Sequence, residues 1–233
     1  SNNPLLMEVS RRCFGKSVFL VDGLEELVGE LQFDAAVRQF LRNYSDRHYS
    51  LDNFLDHFDQ FLVDGWRASD VFRFWYKHGG FASLIVTRDY NTGNVSLQQR
   101  GLNAKSRGRE DPNLLWPIPL TFRTKTVRDW PSPVKLFSRR YANVGPLPAR
   151  SDQWLMSNAD FAYFHRVNYD DQNWDLIAQE LQNRPEYHNT VTRAQLVSDF
   201  CFFNRVGFIK QGRMLREKFR QAMKRAEEDP DDG

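Results

Sequence analysis

Along the first eighty positions the apolar residues recur at helical spacing. Val18, Val21, Leu24, Leu27, Val28 and Leu31 fall on one stripe, and Phe33, Val37, Phe40, Leu41 and Tyr44 on a second, which predicts two helices. Ser50 stands where a cap opens a third, whose face carries Phe54, Leu55, Phe58, Phe61 and Leu62. Ser69 or Asp70 can start a fourth over VFRFWYKH, and the pair Gly79-Gly80 stops it.

After Gly80 the period shortens to two. ASLIVTRD is a short β-branched run, NTGN is a turn signal, and NVSLQQR alternates Val95, Leu97 and Gln99. Together they predict a hairpin. LLWPIPLTFRTK puts Trp116, Ile118, Leu120 and Phe122 on one face. Pro117 and Pro119 have no N–H to give, so part of this strand is expected at a sheet edge. QWLMS and FAYFHRVNY read as strands joined by the turn residues SNAD. The expectation for 81–169 is an antiparallel β-sandwich.

Helical spacing returns at 171–182, with Asp171 as candidate cap and Trp174, Ile177 and Leu181 in one stripe. A further helix is expected from Thr192 to Gly207. A last one over about 211–228 carries only Met214, Leu215, Phe219 and Met223 among many Arg, Lys and Glu. The fold class that follows is α+β and multidomain, dividing at the changes of period into 1–80, 81–170 and 171–233.

Composition adds limits rather than direction. With 233 residues, 41% apolar and 14% aromatic, the chain can bury a sizeable core, and disorder is expected only at the terminal EEDPDDG. A formal charge of +2, from 32 basic and 30 acidic residues, gives no strong electrostatic reason to expect nucleic acid or anionic lipid. No apolar run approaches the ~20 residues that span a bilayer, and no secretory leader opens the sequence.

Local motifs for chemistry are absent. His48, His57, His78, His165 and His188 form no H-E-x-x-H, and no two lie three or four apart. Gly15-Lys16-Ser17 is a GKS without the glycine or strand that a phosphate loop needs. There is no G-x-S-x-G. Cys13 and Cys201 cannot form a zinc set and are expected as two buried thiols. The Asp170-Asp171 pair is explained by capping. Asn43-Tyr44-Ser45 and Asn94-Val95-Ser96 make Asn43 and Asn94 candidate glycosylation positions. SRRY, RTKTVRD and REKFRQAMKR read first as solvated faces; a polyanion-binding surface is the least favoured functional class.

Longer words carry more information. WLMSNADFAYFHRVNYDDQNWDLI resembles the end of the sandwich domain in aminopeptidase N-like zinc metallopeptidases, through Tyr163, Arg166, Val167, Asn168, Tyr169, Asp170, Asn173 and Trp174. Trp75, Gly79, Gly80, Phe81, Val86, Val95, Leu97 and Gln99 resemble that family's W-x-x-Q-x-G-[FY]-P-x-[VL]-x-V and V-x-[LI]-x-Q words. Trp116, Ile118, Pro119, Leu120, Thr121 and Phe122 resemble W-x-[IV]-P-[LV]-T-[FY], and TRAQLVSDF resembles the helix that opens the family's last domain.

The resemblance, which extends to puromycin-sensitive and endoplasmic reticulum aminopeptidases, implies a C-terminal section. It would comprise the helical end of a thermolysin-like peptidase domain, a β-sandwich and the first helices of an α-helical superhelix. The zinc and substrate-amine motifs would lie upstream, so no zinc is expected in this chain, whereas the parent holds one if its upstream motif is intact. The family's helix beginning Y-x-K-G-[AS]-x-V supplies a tyrosine hydroxyl to the oxyanion of the tetrahedral adduct. Aligned on Gly15, that position is Arg12, with Cys13 next and Phe14 at the lysine. Losing one aimed oxyanion donor costs about 10²–10³ in rate, and an arginine's fork needs a different pocket. The chain is therefore expected to be a noncatalytic, pseudopeptidase-type scaffold or a module that binds peptides or proteins. The alternative is a part of an active zinc aminopeptidase. The rest of the peptidase domain would cover Leu20, Leu27 and Phe40, and their exposure would leave a helical face open to dimer formation. The family has membrane-anchored, luminal and cytosolic members, so compartment stays open.

Overall fold

Burying the aromatic and branched residues of both halves produces a mixed α/β fold with seven α-helices and two small sheets among the described residues. A computed structural model describes residues 4–61, 66–102, 114–127 and 130–228; the side chains of 4–15, 102, 130–134 and 225–228 lie outside that description. Leu62 and residues 229–233 are outside it as well.

Four helices come first: α1 (Pro4–Val28), α2 (Glu30–Asn43), α3 (Leu51–Phe58) and α4 (Ala68–Lys77). Gly29, at φ +88°, separates α1 from α2 because only glycine takes that conformation without strain. Ser50 caps α3 as expected: its Oγ accepts from Asn53 N–H (3.2 Å) while Asn53 Oδ1 accepts from Ser50 N–H (2.9 Å), a reciprocal box. Helix α4 begins at Ala68, one residue before the expected start. Ser69 does not cap it; its backbone N–H and hydroxyl both donate to Asp59, at 2.8 and 2.6 Å. Gly80, at φ +100°, turns the chain out of α4.

Strands β1 (Phe81–Arg88) and β2 (Asn94–Leu102) form the expected hairpin, with Leu84 opposite Gln99 and Val86 opposite Leu97. Strand β3 (Ile118–Thr124) pairs with β4 (Trp130–Phe137), then come β5 (Tyr141–Pro146), β6 (Leu155–Ser157) and β7 (His165–Tyr169). One sheet runs β5-β2-β1-β7 and the other β4-β3-β6.

Two strand expectations are corrected. QWLMS and FAYFHRVNY form strands only over Leu155–Ser157 and His165–Tyr169, and these two strands belong to different sheets. The arrangement is also not wholly antiparallel, since β7 runs parallel to β1. The proline expectation holds in a local form. Strand β3 is central, yet β6 pairs only with Phe122–Thr124, so Pro119 faces β4 alone.

Three helices close the chain: α5 (Asp171–Asn183), α6 (Thr190–Arg205) and α7 (Gly212–Glu228). The cap of α5 is Asp170, not Asp171, and α6 starts at Thr190 on an Asn189 cap that accepts from Thr192 N–H at 2.8 Å. Trp174 is fully buried edge-on to Phe200 and Phe219, which stack at 4.4 Å.

The predicted helical stripes are buried only in part. Leu24, Phe40, Leu55 and Phe58 are core, whereas Val18, Val21, Leu31 and Leu41 are exposed. The exposed side chains are therefore not the three expected, Leu20, Leu27 and Phe40. Phe40 is enclosed by Tyr44, Tyr49, Phe54 and His57, and Leu20 and Leu27 pack half-buried against the core.

Candidate functional site

The words that carry the resemblance meet at one junction, where α1, the α4–β1 turn, both sheets and the start of α5 and α6 converge. Helix α1 is fastened there by Lys16. Its Nζ donates to His78 O (2.7 Å) and Gly80 O (3.3 Å), and it lies 5.1 Å from the Trp116 ring and 5.5 Å from the Phe164 ring. Burial lowers its pKa to about 8. One turn on, Phe19 sits against Phe161 and Phe164. At Gly23 an added Cβ would stand 3.2 Å from Ala162 O, so the helix passes close to the turn after β6.

Arg12 precedes Lys16 by one helical turn, within α1. Its side chain, and those of Cys13, Phe14 and Gly15, lie outside the described residues.

Around this anchor most matched polar side chains have a structural partner, whereas Tyr163 OH and Trp116 Nε1 are buried with none among the described residues. Trp75 Nε1 donates to Pro117 O (2.8 Å). The Gln99 side chain bonds both polar groups of the Trp116 backbone, accepting from its N–H and donating to its carbonyl. Trp174 Nε1 donates to Asn168 Oδ1 (3.0 Å). Asn173 bridges to Leu155 with its Nδ2 on the carbonyl (2.7 Å) and its Oδ1 on the N–H (2.9 Å). Tyr169 OH accepts from Ser157 N–H (2.8 Å) and so joins the two sheets.

Asp170 accepts from Asn173 N–H, Arg88 N–H and Tyr90 OH. Asp199 of α6 accepts from Val167 N–H (3.0 Å) and Arg166 Nη1 (2.7 Å). Burial pushes its carboxyl up to about 7, against the pull of Val167 N–H and Arg166.

The turn between β6 and β7, read from sequence only as SNAD, is more than a connector. Asn158, Asp160 and Phe161 have φ of 55°, 63° and 55°, a region that non-glycine residues enter at a cost. Asn158 locks its own loop by donating to Tyr163 O and His165 O and accepting from Tyr163 N–H. Asp160 is gripped by Thr192, Arg123 and Asn189. Burial opposes its ionisation, but the Thr192, Arg123 and Asn189 bonds prevail and hold its carboxyl below the usual range. The signal available in sequence was Asn and Asp together, the two side chains best suited to left-handed backbone.

The histidines are dispersed. His57 Nε2 donates to Ala36 O (2.9 Å), His78 Nδ1 to Phe74 O (2.9 Å), and His48 is exposed. His165 is wholly buried, which lowers its pKa to about 3, and neither ring nitrogen has a hydrogen-bond partner among the described residues; burial lowers the pKa of His188 to about 4. Among the described residues no three His, Cys, Asp or Glu side chains stand together as a metal site, so no metal-dependent step is built on them.

Cys201 is exposed, which corrects its expected burial, while the Cys13 side chain is outside the described residues. Asn43 is exposed at the end of α2, and Asn94 is half-buried at the start of β2. Among the described residues no helix is long and apolar enough to cross a membrane.

Over most of its length this chain is similar to a section of membrane alanyl aminopeptidases and aminopeptidase N. It is 29% identical over 201 residues to membrane alanyl aminopeptidase of Manduca sexta, covering 84% of this chain and 19% of that protein. It is 28% identical over 219 residues to membrane alanyl aminopeptidase of Heliothis virescens (87% and 21%), and 22% identical over 200 residues to human aminopeptidase N (80% and 19%). The chain thus spans about a fifth of the length of these curated relatives. No family model matches it.

Proposed function

We propose that this chain is a noncatalytic section of an aminopeptidase-like protein, acting as scaffold and interaction module. Its divisions would be the helical end of a peptidase-like domain over 1–80, a β-sandwich over 81–170 and the first helices of a superhelix over 171–233. The observation that carries the proposal is the use made of the matched residues. Trp75, Gln99, Asn168, Asp170, Asn173 and Trp174 each spend their polar atoms on named backbone or side-chain partners within the junction. Groups occupied in this way hold elements together and are not available to polarise a substrate. Arg12 at the position of the family's oxyanion tyrosine supports the pseudopeptidase form of this reading.

The test is an assay of the purified chain with amino-acid amide substrates and added zinc. No turnover is expected, and chelator-sensitive cleavage overturns the proposal.

A second reading is favoured by the names of the relatives, all aminopeptidases. In it the chain is part of an active zinc aminopeptidase that removes N-terminal residues from peptides. Another donor would replace the tyrosine, and the zinc would be held by residues of the rest of the protein. An H-E-x-x-H with a further glutamate upstream would favour this reading. Activity of the longer polypeptide would then be expected to rise in an Arg12→Tyr variant.

A further inference from the structure

Two stretches of the chain read Asn-x-Ser with x other than proline, Asn43-Tyr44-Ser45 and Asn94-Val95-Ser96, and the fold sets them in different surroundings. Asn43 is the last residue of α2. It is exposed, and so is every residue from Ser45 to Ser50, so this acceptor word opens onto an uncovered turn. The turn is nevertheless fixed. Tyr44 N–H donates to Phe40 O (3.1 Å), Arg47 N–H donates to Tyr44 O (3.2 Å), and the Tyr44 ring stacks on Phe40 at 4.6 Å. A group attached at Asn43 therefore has solvent around it and an ordered helix end to stand on.

Asn94 is placed otherwise. It is half-buried at the start of β2 and in register with Pro146 of the edge strand β5. Its backbone is bonded on both sides: the N–H donates to Thr92 Oγ1 (3.3 Å), and the carbonyl accepts from Asp89 N–H (2.9 Å). The rest of this second word is drawn into the sheet, since Val95 is wholly buried and Ser96 pairs with Thr87 on one side and Asn143 on the other.

We propose that Asn43, and not Asn94, is a site of N-linked glycosylation in this protein. An oligosaccharide is bulky and hydrated, so the fold accommodates it only where its attachment point faces water. In the transfer the Asn43 amide nitrogen forms a bond to C1 of the first sugar of a lipid-linked oligosaccharide pyrophosphate. The bond from C1 to the pyrophosphate oxygen breaks, and the lipid pyrophosphate leaves with that electron pair. The amide gives up one proton in exchange, and nothing is oxidised or reduced. Ser45 completes the acceptor word, and its hydroxyl lies at the surface, donating to Asp46 Oδ2 at 3.3 Å. The proposal uses neither the junction nor Arg12, so it holds whether or not this section belongs to an active aminopeptidase.

The test is production of the full 233-residue chain behind a cleavable secretory leader in a eukaryotic host. Gel mobility and mass spectrometry are read on both the secreted and the cell-retained chain, so that retention does not hide the result. One oligosaccharide is expected, removed by peptide N-glycosidase with conversion of the Asn43 side chain to a carboxylate. Asn43→Gln and, independently, Ser45→Ala should abolish the mobility shift. Both lie at exposed positions and are expected to keep the circular dichroism spectrum of the wild type. Asn94→Gln should leave the shift unchanged. Three results overturn the proposal: a chain that carries no sugar in either fraction; a shift that survives Asn43→Gln or Ser45→Ala; or a sugar on Asn94 of a chain with the wild-type spectrum.

Discussion

The junction around β7 and the helical region α1–α3 both contribute to the core, but they are held by different physics. At the junction, side-chain hydrogen bonds fix exact partners: Asn173 on Leu155, Trp174 on Asn168, Asp199 on Val167 and Arg166. In α2 and α3, Phe33, Phe40, Phe54 and Phe58 meet through ring faces and edges. A buried hydrogen-bonding site tolerates few residue types, because a lost partner leaves an unsatisfied group, whereas aromatic packing accepts similar volumes. The comparison teaches that the junction is the part whose geometry is specified and the helical region the part that is merely filled.

Asp199→Ala should break this contrast most sharply. It leaves Val167 N–H buried without its acceptor and Arg166 with only Ser198 Oγ, and is expected to cost about 2–4 kcal/mol in chemical denaturation. Asn173→Ala leaves the Leu155 N–H and carbonyl buried and unpaired, for an expected loss of about 2–4 kcal/mol, with the same denaturation curve as readout.

The pH response sharpens the contrast next. The folded-state pKa of His165, about 3, is below its ordinary 6.5. Between those values the unfolded chain takes up a proton that the folded chain refuses. Stability is therefore full above pH 6.5 and is lost as pH falls toward 3, with a slope approaching about 1.4 kcal/mol per pH unit. His165→Gln should flatten that slope in urea midpoints measured from pH 7 to 4. Asp199 acts in the opposite sense. Its carboxyl is raised from 3.8 to about 7, so its contribution is present at low pH and fades as pH rises to 7.

In the helical region, Phe40→Leu is expected to cost only about 1–2 kcal/mol despite a residue 2% exposed. Ser50→Ala, which removes half of the capping box on exposed α3, should cost about 0.5–1 kcal/mol in thermal unfolding. A larger loss at Phe40 than at Asp199 would invert the comparison.

Periodicity made the elements legible. The hairpin β1–β2, the Ser50 cap and the Trp174–Ile177–Leu181 stripe are local, and local patterns are written in consecutive residues. The sheet assignment of β6 and β7 was not legible, because it depends on left-handed backbone at Asn158 and Asp160 that throws the chain from one sheet to the other. The exposure of Leu31 and Leu41 was hidden for a related reason. Spacing marks which residues share a helical face, not whether another element covers it. At the junction the words around Asn168 and Trp174 were visible as text, but their pairing partners were set only by the fold.

The parallel pairing of β1 with β7 bears on how the chain is made. Ala82 finds His165 only after roughly 80 further residues have been synthesised, which takes about 4–16 s at ordinary elongation rates. For that interval one flank of β1 has no neighbour, while β2 has already zipped onto the other. A nascent polypeptide stalled between these points would display a ready strand edge to chaperones and to its neighbours on the same messenger, and release of β7 from the ribosome is the event that withdraws it.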